Sequence, residues 1–146
     1  MMKDVRLRIL LQNPADGTMY GLQEGKGADY KTVQAQIGRG EDLTFDFLVQ
    51  LKQANGMVPS LGGPFVQGTP TNRFVYIDIG TYAGQVGARW SGRLKVPLPE
   101  TILQNSFPDG GQYCWSCNVP GSTAEGKPLF ATVKPFGGWF MCRLPD

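Results

Sequence analysis

Two carboxylates open the chemical reading of this chain. Asp46 and Asp78 each stand in the middle of a run that alternates as a strand does, a position where Asp is depleted. Carboxyl groups on neighbouring strands perform acid–base chemistry when roughly 5 to 9.5 Å separates them, as in glycoside hydrolysis. Tyr76 lies near enough in sequence to serve as a proton donor. Asp46, Asp78 and Tyr76 are therefore the catalytic candidates of a hydrolase or isomerase. The plainer expectation is that each carboxylate sits on a solvent face or pairs with Arg73, Arg89 or Arg93, and that expectation carries more weight.

Any such enzyme has to work without histidine, because the chain contains none. That removes the Ser-His-Asp and Cys-His triads, the histidine-rich metal sites and the usual proton carrier near neutral pH. Cys114 and Cys117 have the C-x-x-C spacing of redox disulfides and half zinc sites, and Cys142 is the third thiol. A redox pair depends on a helix N-terminus to lower its first pKa. Here the motif lies in a strand pattern, where residues three apart face opposite sides. Structural cysteines are expected, with no metal and no cofactor. Gly25-Lys26-Gly27, Gly38-Arg39-Gly40 and Gly62-Gly63 precede no helical pattern, so they read as turns and not as phosphate cradles.

Charge points to no partner class: 14 Lys and Arg stand against 12 Asp and Glu. Arg89, Arg93 and Lys95 form a basic stripe, extended by Arg6 and Arg8, and Trp90 and Tyr82 suggest base stacking. Simple alternation, however, puts Trp90 on the face opposite the arginines. Nucleic-acid binding through this strand face is thus a minor alternative, and nucleic acid an unlikely partner.

The elements that must position these residues are strands. With 20 glycines and 11 prolines, about a fifth of the chain against roughly 12% in average usage, turns are frequent. Val5, Leu7, Ile9 and Leu11 alternate with Arg6, Arg8, Leu10 and Gln12, and Leu43, Phe45, Phe47, Val49 and Leu51 alternate with polar neighbours, Leu48 excepted. Val75, Ile77 and Ile79 form an apolar set opposite Phe74, Tyr76 and Asp78, while Trp90, Leu94 and Val96 oppose Arg89, Ser91, Arg93 and Lys95. Further strands are expected near 19–23, 30–37, 65–67, 112–119, 128–134 and 139–144, and Pro59 to Pro64 reads as an irregular loop. Pro99 opens a short helix near 99–106. The pattern predicts one all-β domain over 1–146, an antiparallel β-sandwich or closed barrel of about eight to ten short strands with that one helix. The first residues carry scattered charges and no long apolar run, so no signal segment or membrane span is expected. An odd number of cysteines favours a reducing interior, hence a cytoplasmic protein.

The stretch from Gly62 to Gly84 joins a glycine-rich loop to a strand whose second face is half polar. Loops on a rigid sheet are where binding concentrates. Gln67, Asn72, Arg73, Tyr76 and Asp78 are accordingly the binding candidates of a non-enzymatic β domain that takes a small molecule or a protein partner. A homodimer is compatible with the edge strands such a fold exposes.

Gly63-Pro64-Phe65-Val66-Gln67-Gly68-Thr69-Pro70-Thr71-Asn72-Arg73-Phe74-Val75-Tyr76, followed by Gly80, is similar to a family of small bacterial proteins catalogued as a domain of unknown function. Arg93-Leu94-Lys95-Val96-Pro97-Leu98 extends the likeness, with weaker matches at Tyr20 to Gly25, Leu43 to Phe47, and Ala131 to Pro135 before Trp139. The Gly-Pro-Phe-Val-Gln-Gly segment is the most specific part. The resemblance implies a compact bacterial protein of unassigned activity and brings no functional residue with it. The Cys114 and Cys117 pair is no part of it.

Overall fold

The two most regular alternations pair with each other. β1 (Met2–Gln12) and β4 (Leu43–Lys52) run antiparallel from Met2 opposite Lys52 to Leu11 opposite Leu43. Val5, Leu7, Ile9 and Leu11 thereby stand beside Val49, Phe47, Phe45 and Leu43 on one face. Burying that face drives the pairing, since a slip by one residue would turn every apolar side chain to water.

A computed structural model of the chain describes residues 2–52, 59–69, 72–98, 111–118, 129–130 and 132–135. Within them, β2 (Thr18–Glu24), β3 (Lys31–Ile37), β5 (Ser60–Gly62), β6 (Gln67–Thr69), β7 (Asn72–Tyr82), β8 (Ala88–Pro97), β9 (Gly111–Asn118), β10 (Leu129–Phe130) and β11 (Thr132–Pro135) complete two sheets. The five-stranded sheet has the order β11-β9-β1-β4-β5. The six-stranded sheet has the order β10-β8-β7-β2-β3, with β6 pairing β7 in line with β2. Their inner faces meet in one core of Val5, Leu7, Ile9, Leu11, Phe45, Phe47, Val49 and Leu51 from one side and Tyr20, Leu22, Val75, Ile77, Ile79, Leu94 and Val96 from the other. This is the expected all-β sandwich, and the two sheets do not close into a barrel.

Three features depart from the strand pattern read in the sequence. β1 pairs β9 in parallel, and β8 pairs β10 in parallel, so the sandwich is not purely antiparallel. Parallel neighbours need a long connection, and these partners lie far apart in the chain. Ser60–Gly62, expected as part of a loop, pairs with Gln50–Lys52 because Leu61 reaches the core. The run expected as one strand at 128–134 divides, β10 joining one sheet and β11 the other. The expected helix near 99–106 and the strand at 139–144 fall outside the described residues.

At the opposite side of the sandwich, two glutamines of β3 reach across to β4. Gln34 donates from Nε2 to the Asp46 carbonyl at 2.6 Å and accepts the Asp46 N–H at 3.2 Å. Gln36 Nε2 donates to the Thr44 carbonyl at 2.8 Å. The side-chain amide of Gln34 thus imitates a neighbouring strand and satisfies backbone groups that β5 is too short to reach. Gln34 holds a left-handed backbone, φ 58° being found at Asn13 and 55° at Gln34 itself, the two non-glycine residues of this kind among those described.

β7 and β8 change register between Ile79 and Gly80. Ile79 stands opposite Gly92, but Gly80 stands opposite Trp90, so Ser91 is the extra residue of a β-bulge. The absence of a side chain at Gly80 permits it: a Cβ there would lie 2.1 Å from the Arg89 carbonyl oxygen. The bulge has a large effect on what the sheet presents to its surroundings.

Candidate functional site

Alternation along β7 sends Val75, Ile77 and Ile79 into the core and Phe74, Tyr76 and Asp78 to the outer face of the six-stranded sheet. Pairing with β8 places Lys95 beside Tyr76 and Arg93 beside Asp78 on that face. The bulge brings Trp90 there too. Simple alternation assigned it to the other side, so this is a correction. The same bulge separates Arg89 from Arg93 and Lys95, and Arg6 and Arg8 belong to the other sheet. The expected basic stripe is therefore divided, while one aromatic and two cations that were thought apart share a surface.

Asp78 is the unusual member. It is buried to 2% exposure although it points away from the core. On β2 its cross-strand neighbour is Gly21, and a Cβ at Gly21 would come within 2.3 Å of Thr32 Cγ2 and 3.0 Å of the Trp90 ring. The missing side chain leaves a gap through which Thr32 reaches over β2 and donates its hydroxyl to Asp78 Oδ2 at 2.7 Å. Burial pushes the Asp78 carboxyl above the usual carboxylate range, opposed by the Thr32 hydrogen bond and by the Arg93 charge.

Arg93 is fixed by aromatic rings. Its guanidinium carbon lies 4.8 Å from the Tyr76 ring centre and 5.6 Å from that of Tyr30. Such contacts contribute about 0.5 to 1 kcal/mol each at open sites. Arg93 makes no hydrogen bond or ion pair with any described residue. The row continues through Phe74, whose ring meets Tyr76 edge-on at 4.9 Å and carries the Lys95 ammonium 4.1 Å from its centre. Gln23, two residues from Gly21 on β2 and on the same outer side, is 3% exposed, and its Oε1 has no hydrogen-bond partner among the described residues.

The candidates from the sequence separate on this frame. Tyr76 and Asp78 stand in the site. Gln67 shares their face opposite Phe74, but its amide is engaged with the Gly25 carbonyl at 2.6 Å. Asn72 has the same parity at the exposed start of β7. Arg73 has the opposite parity, bonds the Gly68 carbonyl at 2.8 Å and leaves a buried Nε without a partner among the described residues. Asp46 is on the outer face of the five-stranded sheet, where Arg8 directly across β1 holds its carboxylate through Nε and, at 3.0 Å, through Nη2. Asp46 and Asp78 thus face away from each other on opposite sides of the sandwich. The paired-carboxylate hydrolase loses its geometry, since of the two carboxylates Asp78 alone shares the face of Tyr76.

Thr32, Tyr30 and Gln23 were not among the candidates. Their signal in the sequence was slight: polar or aromatic residues in short strands, brought to Asp78 only by the β7-β2-β3 order. Cys114 is buried on the outer face of the five-stranded sheet, opposite Arg8, and is disulfide-bonded. Among the described residues no group of three His, Cys, Asp or Glu could hold a metal ion, and no helix is long and apolar enough to cross a membrane.

A protein-family model described as a family of unknown function, DUF5990, matches residues 5–141. No curated protein and no solved structure matches the chain.

Proposed function

The chain belongs to this family of unknown function, and from that premise we propose that it is a binding domain whose ligand, a small polar molecule, occupies the outer face of the six-stranded sheet around Asp78, Arg93, Tyr30, Tyr76 and Gln23. One observation carries the proposal. On the side of the sheet turned away from the core lie a buried carboxylate, a buried glutamine carbonyl and, opposite the carboxylate, a guanidinium, and among the described residues the glutamine carbonyl finds no donor and the guanidinium no acceptor. A fold gains nothing from such an arrangement by itself, since a buried polar atom without a partner costs about 1 to 3 kcal/mol. Strain of this kind concentrates where a ligand completes the hydrogen bonding.

The bulge that gathers Trp90, Arg93 and Lys95 also answers the objection to a nucleic-acid face. The rings of Tyr76 and Phe74, however, are already covered by cations, which leaves fewer faces for bases to stack on. A small ligand fits the site better.

Native mass spectrometry on protein purified without a denaturing step tests the proposal. A bound mass on the wild type that disappears in Tyr76→Ala is the expected result. A bare chain mass, with no thermal stabilisation by any member of a metabolite library, overturns it.

A further inference from the structure

The polar groups of the site differ in sign and in what they lack. The guanidinium carbon of Arg93 lies 4.8 Å from the Tyr76 ring centre and 5.6 Å from that of Tyr30, and the N–H edge of the guanidinium donates to no described residue. That edge matches a carboxylate or another planar oxyanion in a two-pronged hydrogen bond. Asp78 directly opposite on β7 accepts one hydrogen bond from the described residues, that of Thr32, and a carboxylate has room for about four. Gln23 Oε1, on the same side of the sheet and more than nine-tenths buried, lacks a donor among the described residues.

Resting on the site proposed above, we infer that its occupant is a zwitterion of the amino-acid type, with its carboxylate on the Arg93 edge and its ammonium held by Asp78 and the Gln23 carbonyl. Charge excludes the simpler occupants. An anion drawn to Arg93 meets Asp78 in the next strand, and a cation drawn to Asp78 meets Arg93, so each loses on one side what it gains on the other. A molecule with both charges meets both groups with the right sign and supplies the donor that Gln23 lacks. An ammonium has three N–H donors, enough for two acceptors and a water. Burial raises the Asp78 pKa, and an ammonium placed beside it offsets that desolvation.

The common amino acids, tested singly by thermal shift and isothermal calorimetry, provide the probes. For each one that binds, the matching carboxylic acid without the amine and the matching amine without the carboxyl are the controls. At least one amino acid is expected to bind saturably, about tenfold or more tighter than either half, a difference of about 1.4 kcal/mol. Arg93→Lys keeps the charge and loses the fork, and it is expected to weaken binding about tenfold. Gln23→Met is expected to weaken binding while raising the unfolding temperature of the ligand-free protein, a pairing that a purely structural role does not produce. Asp46→Asn, on the far side of the molecule, is expected to bind as the wild type does.

A carboxylic acid or an amine that binds as tightly as the amino acid overturns the inference, as does binding that survives both Arg93→Lys and Gln23→Met. A bound small molecule lost in Tyr76→Ala, with no response to any amino acid, overturns the zwitterion and leaves the binding function standing. Neither a bound mass nor a response to any small molecule overturns both.

Discussion

Asp78 concentrates the chemistry of the protein in one side chain. Its folded pKa lies above the ordinary value of 3.8, first because it is buried and despite Thr32 and Arg93. Between the unfolded and the folded pKa the folded protein therefore keeps a proton that the unfolded chain releases. That group's contribution to stability is greatest below pH 3.8 and declines as pH rises through the folded pKa. The slope is bounded by about 1.4 kcal/mol per pH unit for one proton. Asp78→Asn retains an acceptor for the Thr32 hydroxyl and carries no charge to desolvate. Chemical denaturation across an acid-to-neutral series is expected to find this variant at least as stable as the wild type at neutral pH, with its advantage shrinking on acidification. An advantage that is constant with pH would show that the Asp78 carboxyl does not titrate differently in the two states. The anomaly of Asp78 was visible in the sequence, because Asp seldom occupies a strand interior. Its partners were not, since Thr32 is 46 residues away and Gly21 is significant only for the space it leaves empty.

Among the elements, β8 shows how a single irregularity decides what a sheet displays. The bulge at Ser91 depends on Gly80, where an added Cβ would strike backbone and not a movable side chain. Gly80→Ala is expected to cost about 2 to 4 kcal/mol, read as a lower denaturation midpoint. It should also change the fluorescence of Trp90 as the register of β7 against β8 is disturbed. The edge between β3 and β4 poses a different problem, backbone groups without a neighbouring strand, which invite pairing with another molecule. Gln34 and Gln36 occupy those groups. The double variant Gln34→Ala, Gln36→Ala is expected to lose about 1 to 3 kcal/mol and to self-associate with rising concentration in light scattering. A stable monomer at all concentrations would mean that the glutamines do not guard the edge. Leu48, 50% exposed on the same strand, adds an apolar contact for such an association.

For the whole molecule, the core between the two sheets carries the stability on which this unusual outer face depends. Ile77 is completely buried at its centre and belongs to the strand that bears Tyr76 and Asp78. Ile77→Ala is expected to cost about 2 to 5 kcal/mol, visible as a lower thermal midpoint in calorimetry. A cost under about 1 kcal/mol would mean that the layers repack freely around the cavity.

The local alternation of apolar and polar residues by itself determined the all-β class, the inward faces of β1, β4 and β7, and the exposure of Leu48. It could do so because burial acts on each strand with a period of two, whatever its neighbours. The turns were legible for a similar reason: glycine, proline and asparagine restrict or free the backbone where they stand. Tertiary structure alone decided the order of the strands, the parallel pairing of β1 with β9, the division of β10 from β11, and the face to which Trp90 belongs. It alone set Asp46 and Asp78 on opposite sides of the sandwich and brought Thr32, Tyr30 and Arg93 around Asp78. Those relations depend on which distant backbone fills each strand's hydrogen bonds and on where a missing Cβ lets one strand cross another, and neither quantity is carried by the spacing of residues along the chain.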